Sequence, residues 1–165
     1  MKTFSLTTII ALFLLLSING IQAQTTQTKL NQVELMKQFI GSWKGDIAKD
    51  TTLLWEVKPY GIGLEGSIKY VSKGKTVLET KQLWGLDKVH DKLIVAEIIK
   101  GMDLELYASW FISKYKFEFI RYSDISNPEQ INFKVEGEII SKDMFVEKMI
   151  INNKLVRTDT YTRVK

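Results

Sequence analysis

Between Leu30 and Ile40 the apolar positions Leu30, Val33, Met36, Phe39 and Ile40 recur at three- and four-residue spacing, which predicts one short amphipathic helix. Thr28 or Asn31 is placed to cap its start, Asn31 forming a capping box with Glu34, and Gly41 is placed to end it in the left-handed conformation. After Gly41 the period changes to two. Leu53, Trp55 and Val57 alternate with Leu54, Glu56 and Lys58, and Leu64, Gly66, Ile68 and Tyr70 alternate with Glu65, Ser67 and Lys69. Similar runs are predicted at 43–48, 77–84, 93–99, 104–112, 115–122, 131–139, 144–151 and 155–164, giving about ten half-buried antiparallel strands.

The connectors are short and carry turn residues, as in Tyr60-Gly61-Ile62-Gly63, Ser72-Lys73-Gly74-Lys75 and Asn152-Asn153-Lys154. They leave no room for crossover helices, so each strand is expected to pair with its predecessor in an up-and-down meander. Only 123–130, with Pro128, is a longer loop. An open sheet of this length would expose two long edges, and closure into a barrel removes both. The expected fold class is therefore all-β: about ten antiparallel strands in an up-and-down barrel, with one short N-terminal helix. A barrel wider than eight strands tends to keep an internal cavity.

The first residues change the picture of where this barrel works. Lys2 precedes the apolar run Ile9 to Leu16, which is too short for the roughly 20 residues of a membrane span, and Ile21-Gln22-Ala23 offers a signal-peptidase site. Residues 1–23 are expected to be a signal peptide cleaved after Ala23, with Gly20 as the alternative position, and 24–165 one lipocalin-like barrel domain. The protein is accordingly expected to be secreted or periplasmic, of bacterial origin, with no stable membrane insertion. The chain contains no cysteine, which removes disulfides and thiolate chemistry. Apart from Lys2, 22 basic groups face 19 acidic ones, and the lysines are scattered singly. That is the pattern of solvated faces, and no nucleic-acid partner is expected.

The segment Phe39-Ile40-Gly41-Ser42-Trp43-Lys44-Gly45 resembles the first-strand motif of the calycin superfamily, which includes lipocalins, fatty-acid-binding proteins and nitrobindin-like barrels. The resemblance is closest to secreted bacterial lipocalin-like domains. It implies that the helix plugs one barrel end and that Trp43 packs at the base. It also implies that a basic residue near the C-terminus, Arg163 or else Arg157, lies across the indole. The chain departs from the fatty-acid-binding proteins in having only Lys49-Asp50 between its first two strands, and Tyr161-Thr162-Arg163 in place of Arg-x-Tyr. It lacks the C-terminal histidine that nitrobindin-like haem binding needs, and no cofactor is expected.

Arg157, Asp159, Tyr161 and Arg163 share one face of the last strand, and Leu155 on the same face favours an inward direction. Turned inward, Arg157, Tyr161 and Arg163 would anchor a carboxylate or phosphate headgroup, since buried charge demands a partner. Turned outward, they would be ordinary solvated groups. Arg121, in phase with Phe117 and Phe119, is the other inward arginine candidate. The only histidine, His90, sits in a polar turn, and Glu79 suits an outward ion pair. No serine has a histidine base, no glycine loop suits phosphate, and no carboxylates have metal-ligand spacing, so no enzyme is expected. The expected function is binding of a small apolar or amphiphilic molecule in the barrel. The alternative is an envelope interaction or structural module, marked by an exposed patch at Leu54 or Leu78.

Overall fold

The computed structural model describes residues 29–165, so the signal peptide expected at 1–23 and the possible cap Thr28 lie outside the described residues. Helix α1 (Gln32–Met36) continues as a 3₁₀ turn (Lys37–Phe39). Ten strands follow: β1 (Gly41–Ala48), β2 (Thr51–Tyr60), β3 (Gly63–Ser72), β4 (Lys75–Asp87), β5 (Lys92–Ile99), β6 (Leu104–Phe111), β7 (Lys116–Arg121), β8 (Phe133–Ser141), β9 (Met144–Ile151) and β10 (Lys154–Arg163). Every strand is antiparallel to its sequence neighbours, and β1 pairs with β10, Trp43 opposite Arg163, so the meander closes into a ten-stranded barrel. The loop expected at 123–130 is two 3₁₀ turns, Tyr122–Ser126 and Pro128–Gln130.

The helical segment is shorter and tighter than its periodicity suggested. Asn31 caps it as expected, Oδ1 accepting from the Glu34 amide at 3.1 Å. Gly41 does not end it: the chain has already turned out at Ile40, and Gly41 opens β1 at φ +131°. The reason lies in how the terminal carbonyls of the helix are satisfied. Arg163 donates from Nη1 to Ile40 O at 2.5 Å and from Nη2 to Gln38 O at 3.2 Å, while Trp43 Nε1 donates to Phe39 O at 2.7 Å. Side chains from β1 and β10 thus do the work a glycine cap would do. Gly41 is required for room, because a Cβ there would collide with Arg163 Nη1.

Phe39 is the centre of the plug. Its ring packs within 6 Å of Trp55, Trp84, Phe111, Phe117 and Phe145, two of these edge-on, an arrangement that adds about 0.5–1.5 kcal/mol per pair to simple burial. Buried Gln32 ties the helix to the end of β6 by donating to Phe111 O at 3.1 Å and accepting from its amide at 2.7 Å. The Arg163 guanidinium lies 4.1 Å from the Trp43 ring centroid, and Phe145 meets that indole edge-on. One end of the barrel is therefore closed by stacked rings, and any internal space lies on the side away from the helix.

Candidate functional site

A cavity of about 290 Å³ lies inside the barrel, reaching from Phe39 on the plug to Phe133, Met149 and Arg157 toward the other end. Ten of its lining residues are aromatic, so most of its wall is flat, apolar and polarisable. Period-two alternation places them: β2 turns Leu53, Trp55 and Val57 inward, β3 turns Leu64, Gly66, Ile68 and Tyr70, and β9 turns Phe145, Glu147 and Met149. A larger depression of about 730 Å³ lies over the outside of the plug, with Trp43 and Arg163 in its wall. Its arginine is already committed to the helix carbonyls, so the interior cavity is the better candidate site.

The polar groups of the cavity come from three parts of the wall. On β10, Arg157 donates from Nε to Asp159 Oδ2 at 2.7 Å, and Asp159 is buried. On β9, Glu147 stands directly across from Asp159 in the strand register. On β5, Glu97 accepts from Gln82 Nε2 at 2.5 Å, and Gln82 Oε1 accepts in turn from Trp84 Nε1 at 3.2 Å. Tyr107 at the wall of β6 donates to Glu105.

Burial sets the protonation behaviour of this lining. Desolvation is the largest influence on Glu147 and, with the charge of Asp159, pushes its carboxyl up to about 7; the Tyr161 hydroxyl and Arg157 oppose the shift without cancelling it. Glu147 is half-buried and lines the cavity. Glu97 is also raised, by desolvation first, against the hydrogen bond from Gln82. Burial raises the Tyr70 phenol, which also feels the charges of Glu97, Arg157, Glu147 and Asp159.

One donor has no partner. Trp55 is 7 % exposed, and its Nε1 is the only buried side-chain polar atom among the described residues without a hydrogen bond. It lies next to Gly66, where an added Cβ would meet it at 3.0 Å and Gln82 Oε1 at 2.8 Å. Gly66 has no side chain because the Trp55 and Gln82 side chains already fill that place, and the unsatisfied Trp55 N–H costs about 1–3 kcal/mol unless something accepts from it.

The four residues singled out in the sequence as ligand anchors have different surroundings. Tyr161 is buried, stacked on Phe145, and lines the cavity together with Arg157. Arg163 belongs to the plug, where it also donates from Nε to Lys142 O at 2.9 Å and faces Asp143 at 3.4 Å. Arg121 is exposed near the open end, 5.8 Å from the Phe133 ring centroid. The charged face of β10 does turn inward, though not because of Leu155. That residue is 60 % exposed, and the register shifts between Leu155 and Arg157, taking it off the face. Outside the cavity, Glu79 pairs with Lys100 at 3.7 Å and His90 Nδ1 contacts Asp87 at 2.6 Å, both in exposed positions. Sequence reasoning missed Glu97 and Glu147. Their signal was parity, since Glu97 is in phase with Leu93 and Val95, and Glu147 with Phe145.

Among the described residues no three histidine, aspartate or glutamate side chains are placed to hold a metal ion, and no helix is long and apolar enough to cross a membrane. No protein-family model matches the chain, and no curated protein matches it significantly. Architecture and the cavity wall are thus the basis for a functional reading.

Proposed function

We propose that this chain is a lipocalin-like binding protein of calycin type, exported through its N-terminal segment, that holds one small apolar or amphiphilic molecule inside the barrel. The observation that carries the reading is the aromatic cavity with an unpartnered Trp55 Nε1 at its wall. Small-molecule sites are concave and mostly apolar with a few convergent polar groups, and about 290 Å³ is near the lower end of their usual range of about 300–1,000 Å³. The resemblance of 39–45 to the calycin first strand and the plugged, closed barrel support the same reading. Residues 1–23 support export, and the reading includes no catalytic step.

Native mass spectrometry of the protein purified from its own source tests the proposal. The expected result is a bound mass released by solvent and absent from a Gly66→Ala variant, whose Cβ would intrude on Trp55 Nε1. Protein that carries nothing, and that shows no saturable change in tryptophan emission with any apolar or amphiphilic probe, refutes it.

A second reading has one observation in its favour. The outer face of β4, β5 and β6 places Leu83, Ile98, Leu104 and Leu106 side by side, each between 43 and 56 % exposed, with Ile98 opposite Leu104 in the register. Such a strip suits a protein-interaction module. Of the two residues expected to mark such a patch, Leu54 is exposed, at 39 %, and Leu78 is half-buried.

A further inference from the structure

The inward arginine of β10 reads in the sequence as an anchor for an anion. Its partner removes that role. Arg157 is bound by Asp159 at 2.7 Å, and the pair is neutral as a unit. Glu97 and Glu147 remain in the cavity wall, and among the described residues neither forms an ion pair; Glu97 has only the amide of Gln82. Once ionised, these two carboxyls beside a neutralised arginine give the lining a negative balance. An anionic headgroup entering it would be desolvated against charge of its own sign.

The rest of the wall has the opposite preference to a lipid carboxylate. Trp55, Trp84, Tyr70 and Tyr107 line the same space. Aromatic faces attract cations, most strongly where water is excluded. Carboxylates beside such rings complete a site for an organic ammonium. Trp55 Nε1 supplies the independent requirement: on a ring that lines the cavity it is more than nine-tenths buried and unpartnered, so an occupant that carries a hydrogen-bond acceptor satisfies it.

We infer that the ligand is a small protonated amine with an aromatic or alkyl body and one hydroxyl or carbonyl acceptor, its ammonium held by Glu147 and Glu97 and its acceptor by Trp55 Nε1. This rests on the reading of the barrel as a small-molecule binder. A ligand of this class fills a cavity of about 290 Å³ without the long tail that a fatty acid would require. The binding is also tied to pH in a definite direction. The groups facing Glu147 are Asp159, Arg157 and Tyr161 from β10, and Tyr70 from β3 shares its surroundings with Glu97 from β5. With the Glu147 carboxyl pushed up to about 7, ionisation on raising the pH creates the counter-charge, while an aliphatic amine stays protonated until near pH 10. Amine affinity therefore rises with pH through neutrality, and bound amine lowers the carboxyl's pKa in return.

The test uses three probes of nearly equal shape: tyramine, the neutral alcohol tyrosol and the anion 3-(4-hydroxyphenyl)propanoate. Each is titrated calorimetrically and by tryptophan emission into the protein expressed from residue 24. Tyramine is expected to bind about tenfold or more tightly than either other probe, with affinity rising between about pH 5 and pH 8. Glu147→Gln is expected to remove about tenfold of tyramine affinity and the pH dependence, leaving tyrosol unchanged. Glu97→Gln gives a second loss if the first variant is poorly folded, and Glu79→Gln, on the outer face, should change nothing. Tyrosol or the anion binding as well as tyramine overturns the amine inference and leaves the binding reading intact. If none of the three binds, the amine inference fails, and the native mass spectrum alone decides the binding reading.

Discussion

Replacing Glu147 by glutamine should make the protein more stable, and only above mildly acidic pH. Burial and Asp159 raise the Glu147 carboxyl from its ordinary 4.5 to about 7 in the folded chain. Below about pH 4.5 it is protonated in both folded and unfolded chains and costs nothing. Between pH 4.5 and 7 the unfolded chain gives up the proton while the folded chain retains it, so each unit of rising pH lowers stability by up to about 1.4 kcal/mol. Above pH 7 both states are ionised and the penalty is complete. The shift corresponds to roughly 3 kcal/mol, and water reaching the carboxyl through the cavity reduces this to about 2–3 kcal/mol. Glutamine retains an acceptor for Tyr161 and cannot ionise, and it also relieves Asp159 across the strand pair. Urea unfolding of wild type and Glu147→Gln at half-unit intervals from about pH 4.5 to 8 should give curves that coincide at the acid end and separate steadily to pH 7, the variant being the more stable. The raised carboxyl of Glu97 is common to both proteins and largely cancels in the comparison. A difference that is constant with pH, or a wild type more stable at pH 8, would show that the carboxyl is solvated and the reasoning wrong.

Three further outcomes follow from the plug and the cavity wall. Arg163→Ala removes the contact with Trp43 and hydrogen bonds to Ile40, Gln38 and Lys142, and should cost about 2–4 kcal/mol in urea unfolding without altering probe affinity in the cavity. Phe39→Ala empties the centre of the ring cluster and should cost about 3–5 kcal/mol, with a red shift of tryptophan emission as water reaches Trp55 and Trp84. Gly66→Ala places a methyl against Trp55 Nε1 and the buried, hydrogen-bonded Gln82, so it should cost about 1–3 kcal/mol while tyramine affinity, measured by calorimetry, falls.

The barrel was legible because its information is local. Alternation of Leu53, Trp55 and Val57 with Leu54, Glu56 and Lys58 fixes which side of β2 is inside, and the short Gly- and Asn-containing turns force the next strand to run back beside it. The contact of Trp43 with Arg163 was legible only through resemblance, since those positions are paired by barrel closure. What the sequence hides depends on exceptions to alternation and on what each charge meets in space. The bulge between Leu155 and Arg157 leaves no compositional mark, yet it puts Leu155 outside and Arg157 inside.

The arginines show why residue type alone misassigns a binding site. A guanidinium on an inward face looks like an anion receptor until its own partners are counted. Arg163 donates to three backbone carbonyls at the plug, and Arg157 is held by Asp159 one inward position along β10. Both positive charges are therefore used to hold the barrel, and the glutamates on β5 and β9 determine the sign of the cavity. The cost of burying Glu147 beside Asp159 is tolerated in the folded chain even though a glutamine would fill the same place. Stability alone does not explain such a residue, whereas a cationic ligand that offsets its charge when bound does.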